Sequence, residues 1–144
     1  MDIEAIRDLK KEEGSKVDSD GLHIPYQDSL GIWTAGYGRN LETARFTEDE
    51  AQLWLIEDYE KAVTLAGKIP EYQGLSKNRK RILVAMCYQM GLAGVMKFRN
   101  MLVAIGREEW DEAGRQMLDS LWAEQTPARA KRMASRMVQD TWPA

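Results

Sequence analysis

Residues 26–38 read Tyr-Gln-Asp-Ser-Leu-Gly-Ile-Trp-Thr-Ala-Gly-Tyr-Gly, and no other stretch constrains the chain as tightly. Asp28-Ser29-Leu30-Gly31 is a turn sequence: the Asp side chain can bond its own backbone, and the Gly can take a positive φ. Ile32 to Tyr37 then mixes β-branched and aromatic residues with small ones before Gly38, which predicts a short β-hairpin rather than a helix. Side chains facing each other on such a ribbon are held rigidly. Asp28 and Thr34 can therefore grip one water molecule, the carboxylate accepting its proton and the hydroxyl aligning it.

Upstream, Ile3, Ile6 and Leu9 recur at helical spacing, and Gly14 is a natural stop, so residues 3–13 are predicted to form a helix with Glu13 at its end. A carboxylic acid in that place, once partly desolvated, stays protonated long enough to give its proton to a leaving group. Among 23 acidic residues most must be solvated surface groups, so neither Glu13 nor Asp28 is informative alone. The signal is the ordered set: Glu-Gly, then Tyr-x-Asp-x-x-Gly-x-x-Thr-x-Gly-x-Gly.

Caps and periods organise the rest. Thr47 and Glu50 form a capping box, and Leu53, Ile56, Tyr59, Val63 and Ala66 keep helical spacing until Gly67 and Pro70. That helix, of about 20 residues at 1.5 Å each, spans roughly 30 Å, long enough to join two lobes. Ser76 is predicted to cap a helix running through an apolar stretch to Gly91. Trp110, Ala113, Met117 and Leu121 mark another, and Pro127 at a first-turn position starts the last.

Composition excludes several functions. One cysteine, Cys87, lies in an apolar run and reads as a small buried hydrophobe, and one histidine, His23, cannot build a metal cluster. Glycine-rich phosphate loops are absent, so neither metal nor cofactor is expected. The first 72 residues carry a net charge of −8 and the remainder +5. The basic half suits an anionic polymer such as a bacterial wall. Nucleic acid is disfavoured, because the basic stretches 77–81 and 129–136 lack an aromatic platform. The chain lacks an apolar run of about 18 residues and its N-terminus lacks a signal-peptide pattern, so it is expected to be soluble and without membrane insertion; it is also expected to be a monomer.

Taken together, these motifs resemble the lysozymes of T-even bacteriophages and the surrounding phage endolysin family, glycoside hydrolase family 24. The likeness continues through Thr47-Glu-Asp-Glu-Ala51, Tyr88-Gln-Met-Gly91, Trp110-Asp-Glu-Ala113 and Gln125-Thr-Pro-Ala-Arg-Ala-Lys-Arg132. It implies an α+β, predominantly helical fold over residues 1–144. A small N-terminal lobe with the β-meander (about 12–46) would be joined by a helix (about 48–67) to a helical C-terminal lobe (about 68–144, with the N-terminal helix 1–11). It also implies inverting hydrolysis of the β-1,4 bond between N-acetylmuramic acid and N-acetylglucosamine in peptidoglycan. Glu13 would be the acid, with Asp28 and Thr34 positioning the water. Arg129 matches an arginine that orients the acid, and Gly38, Tyr88, Gln89, Gln116 and Trp122 match positions that line the substrate cleft. A chain of this kind is expected to be made in the host cytoplasm and to act on the wall after release.

The sequence departs from the family in three places. Glu13 and Asp28 lie 15 positions apart, wider than the family's spacing, so 14–25 contains an insertion that brings in Asp18 and Asp20. Arg39 replaces a histidine that would face Asp58, and Met101 replaces a serine. Two other functions fit parts of the pattern. A lytic transglycosylase would share Glu13 but need no water-positioning pair, and a catalytically silent wall-binding or tail-associated module would keep only the fold.

Overall fold

The computed structural model describes residues 1–143 and divides into two compact units, residues 1–50 and residues from 51 onward. The first opens with helix α1, Ile3–Glu13, whose N-terminus is capped by Asp2 accepting from the Ala5 N–H at 3.0 Å. Gly14 stops it at φ 66°, a conformation that glycine adopts without strain. A three-stranded antiparallel sheet follows, β1 (Tyr26–Gln27), β2 (Trp33–Ala35) and β3 (Arg39–Asn40), in the order β1-β2-β3. Its register pairs Tyr26 with Thr34 and Ala35 with Arg39.

Helix α2, Glu48–Ala66, starts at the predicted capping box. The Glu50 N–H donates to Thr47 Oγ1 at 3.2 Å, and the Thr47 N–H donates back to Glu50 Oε2 at 2.8 Å. Most of α2 belongs to the second unit, where it is followed by a short 3₁₀ turn (Tyr72–Gly74), α3 (Lys77–Met96), α4 (Arg99–Gly106), α5 (Trp110–Leu118), α6 (Leu121–Gln125) and α7 (Pro127–Gln139). Ser76 caps α3 and Pro127 occupies the first turn of α7, both as predicted. Mostly helical with one small sheet, the chain has the expected α+β composition.

Two helix boundaries differ from the sequence reading. Residues 110–121 are not one helix: α5 ends at Leu118, and Ser120 accepts from the Ala123 N–H at 3.1 Å to cap α6, so a local cap overrides a continuing apolar period. Gly91 does not end α3. At φ 73° it bends the chain, and helical backbone resumes on its far side.

The core of the second unit is built from Ile69, Ile82, Leu83, Met86, Val95, Met101, Met117 and Met137, all essentially solvent-free. Cys87 is buried among them and burial pushes its thiol pKa up, as suits a small hydrophobe. Helices α5 and α7 approach closely at Gly114, where a Cβ would come within 2.8 Å of Val138 Cγ2. At the end of α7, Arg79 donates from Nε to the Met137 carbonyl at 2.9 Å and stacks 3.6 Å from the Trp110 ring centroid. No described helix is long and apolar enough to cross a membrane.

Candidate active site

In the first unit, three predicted residues lie on the hairpin and one at the end of α1. Asp28 is half-buried, and its Oδ1 accepts from the Leu30 N–H at 2.8 Å and the Ile32 N–H at 2.9 Å. These bonds fold the turn and leave Oδ2 for a water. The Asp28 N–H also donates to the Ile32 carbonyl at 3.0 Å, extending the ladder one step past Tyr26–Thr34. Side chains alternate along a strand, so Asp28 shares a face with Tyr26, and Thr34 faces Tyr26 across the ladder. Asp28 and Thr34 are therefore diagonal neighbours on one face.

Thr34 is 4% exposed, a rare burial for a polar side chain here. Its hydroxyl donates to the Ile32 carbonyl at 3.0 Å, which fixes the rotor and leaves the oxygen's lone pairs as acceptors. Glu13 ends α1 against the turn between β2 and β3. A Cβ built on Gly38 would stand 2.7 Å from Glu13 Oε2, and Gly38 has φ 85°. Only a glycine lets the backbone lie this close to the carboxylate.

The insertion is more ordered than its Ser/Asp/Gly composition suggests. Asp18 accepts from the Asp20 and Leu22 N–H groups, both at 2.9 Å, and Val17 bridges His23 in antiparallel fashion. Asp18-Ser-Asp-Gly and Asp28-Ser-Leu-Gly thus form the same self-bonded turn, and only the second is followed by a threonine on the returning strand.

The second unit separates its predicted residues into two groups. Gln89 Oε1 accepts from the Trp122 indole N–H at 2.9 Å, which leaves the Gln89 amide N–H₂ free to donate. Trp122 itself is buried and backs Gln89 more than it presents a face. Trp122 and Gln116 line one hollow of about 520 Å³ with Phe98, Asn100 and Met101. There the Gln116 amide donates to Glu112 Oε1 at 2.7 Å. That bond first, and Arg115 beside it, hold the Glu112 carboxyl below its ordinary pKa. Tyr88 and Arg129 instead line a second groove of about 710 Å³ with Tyr59, Arg81 and Trp142.

Arg39 lies over the Phe46 ring, 5.9 Å from its centroid, and Asp58 bonds Lys61 at 3.2 Å. The sequence reading assigned nothing to Tyr37 or Lys10 and asked of His23 only whether it binds metal. In the structure the three gather beside Gly38, and the flanking glycines of Gly36-Tyr37-Gly38 were the available signal. Among the described residues no three His, Cys, Asp or Glu side chains are grouped to hold a metal.

The phage lysozyme family model matches residues 18–137. The chain belongs to that family. Asp28, Thr34 and Gly38 fall inside the matched span, and Glu13 lies just before it. The probable T4-type lysozyme 1 of Dictyostelium discoideum is 29% identical over 164 aligned residues, covering 92% of this chain and 93% of that protein. The peptidoglycan hydrolase gp36 of Pseudomonas phage phiKMV is 32% identical over 124 residues, 84% of this chain but 13% of that protein. The pre-baseplate central spike protein Gp5 of Enterobacteria phage T4 is 35% identical over 79 residues, 54% of this chain and 14% of that protein. The chain thus spans nearly all of one relative and about a seventh of two much longer ones.

Proposed function

We propose that this phage lysozyme family member hydrolyses the glycan strands of bacterial peptidoglycan, cutting the β-1,4 bond between N-acetylmuramic acid and N-acetylglucosamine with inversion. The observation that carries the reading is Glu13 seated on Gly38, in the turn that follows β2, the strand on which Thr34 is a diagonal neighbour of Asp28. Glu13 protonates the leaving glycosidic oxygen. Asp28 Oδ2 takes a proton from a water aligned by Thr34, and that water attacks the anomeric carbon from the opposite side. A water must fit between acid and base in an inverting enzyme, so their carboxyls belong about 6.5 to 9.5 Å apart.

In the second unit, Gln89 and Gln116 would offer amide groups to the acetamido and hydroxyl groups of the sugars, Gln89 braced by Trp122. Tyr88 would add an exposed ring at the edge of the groove. Arg129 lines the same groove as Tyr88 and would offer a fixed positive charge there. The substrate is thus the wall polymer, acted on after the chain, made as a monomer in the host cytoplasm, is released.

The deciding experiment digests purified peptidoglycan and analyses the products by mass spectrometry, with NMR of the first-formed anomer. Reducing ends with inverted configuration are expected, and 1,6-anhydro ends would replace this reading with lytic transglycosylation. The likeness to a spike protein favours a second setting for the same chemistry, in which the chain cuts wall during particle entry. Detection of the chain in purified particles would establish that setting.

A further inference from the structure

Tyr37 immediately precedes the glycine on which Glu13 rests, and two other elements close on its ring. The His23 ring meets it edge-on at 5.2 Å between centroids, with planes 68° apart, and Lys10 Nζ lies 5.1 Å from the ring centroid. Lys10 sits three residues before Glu13 on α1, so the two project from one side of that helix. His23 belongs to the inserted hairpin, which leaves α1 directly after Glu13 and returns to β1.

That hairpin is closed by its own bonds. The Ile24 N–H donates to the Lys16 carbonyl at 3.0 Å, the Asp18 N–H to the Leu22 carbonyl at 2.9 Å, and Asp18 ties the turn. A longer connection between acid and base loosens their relative placement unless something removes the added freedom. Here the added residues reach back to the turn that carries Gly38. The path is a ring: Glu13, hairpin, His23, Tyr37, Gly38, and Glu13 again.

We propose that Tyr37, clasped by His23 of the insertion and by Lys10, is a positioning residue that holds Gly38 against the Glu13 carboxyl. This rests on the reading of Glu13 as the catalytic acid. Tyr37 touches the acid only through its neighbour, so its loss displaces a proton donor without removing one. His23 acts one step further out.

The test measures kcat and KM on soluble, un-cross-linked peptidoglycan fragments, using the full chain with His23→Ala, Tyr37→Leu, His23→Phe, Tyr37→Phe and Glu13→Gln. His23→Ala and Tyr37→Leu are each expected to lose about tenfold in kcat, as a misplaced reacting group does, with KM within about twofold. Combined, they should lose no more than the worse single variant, since both act through one ring. The phenylalanine variants keep ring contacts and should recover to within about threefold of the parent. If Tyr37→Leu fails to fold, the His23 pair decides alone, because His23 is exposed and tolerates truncation. Parental kcat in His23→Ala, or a loss carried by KM, would overturn the proposal, the latter making Tyr37 a sugar contact. Full activity in Glu13→Gln would overturn the acid assignment itself. A dead Glu13→Gln beside a fully active His23→Ala would remove only the positioning role.

Discussion

The Glu13 carboxyl occupies the space in which a Gly38 side chain would begin: a Cβ there lies 2.7 Å from Oε2 and 3.4 Å from Cδ. Because the obstructed atoms are the end of a flexible side chain, Gly38→Ala should fold by turning Glu13 aside. Its positive φ adds roughly 1 to 2 kcal/mol of backbone strain. Wall-lytic activity is expected to fall by about 10²-fold, as displacement of a reacting group does. A turbidity-clearing assay alongside thermal unfolding checks this, and parental activity would show that the Glu13 position is not critical.

Asp18 and Asp28 make the same turn with the same pair of backbone bonds, so their substitutions are matched controls. Asparagine keeps the Oδ1 acceptor in both, and each variant should remain folded. Asp28→Asn is expected to lose about 10² to 10⁴ in rate, the usual cost of removing a positioned base. Asp18→Asn should stay within a few-fold of the parent. The reverse outcome would move the base into the insertion.

What could be read from sequence was local. Thr47 and Glu50, Ser76, Gly14 and Pro127 each announce a helix end through chemistry within four residues, and each does so in the structure. The hairpin was readable for the same reason, since Asp28 to Gly31 specifies its own turn. Helix α5 was overrun because the apolar period from Trp110 continues to Leu121, and only Ser120 marks the break. Contacts between distant residues were not readable. The His23–Tyr37 and Glu13–Gly38 approaches depend on where the hairpin folds back, and Arg79 meets Met137 across 58 positions.

The capping box at α2 has a sign for pH. The Glu50 carboxyl is held below its ordinary value of 4.5, first by the Thr47 backbone N–H, then by the Thr47 hydroxyl, with Arg39 adding a smaller attraction. A carboxyl depressed in the folded state adds stability above the unfolded pKa and loses it as pH falls through the folded one. Glu50→Ala should therefore be less stable than the parent at pH 7, with the gap narrowing below about pH 4.5. Glu50→Gln should keep part of the cap without that narrowing. A gap for Glu50→Ala that stays constant from pH 7 to pH 3 would rule out the charged cap.

The end of α7 is fastened by one side chain with several jobs. Arg79 bonds the Met137 and Val138 carbonyls, reaches Asp140 at 3.4 Å and lies over the Trp110 ring, while Ser76 holds the other Asp140 oxygen and Asn78 the Asp140 carbonyl at 2.7 Å. The Arg79 side chain is 12% exposed against 36% for Asp140, so removing the cation strands buried carbonyls whereas neutralising the acid does not. Arg79→Ala is expected to cost about 2 to 4 kcal/mol, below the full range for breaking a buried pair because the acid keeps some water. Lysine cannot reproduce the planar fork or the stack, so Arg79→Lys should recover less than half of that loss. Asp140→Asn keeps one acceptor oxygen for Arg79, its new amide N–H can donate to Ser76 Oγ instead of accepting from it, and it should cost only about 1 kcal/mol. Urea unfolding followed by tryptophan fluorescence orders the three variants, and an Asp140→Asn as damaging as Arg79→Ala would mean that the ion pair, not the carbonyl bonds and the ring, fastens the helix.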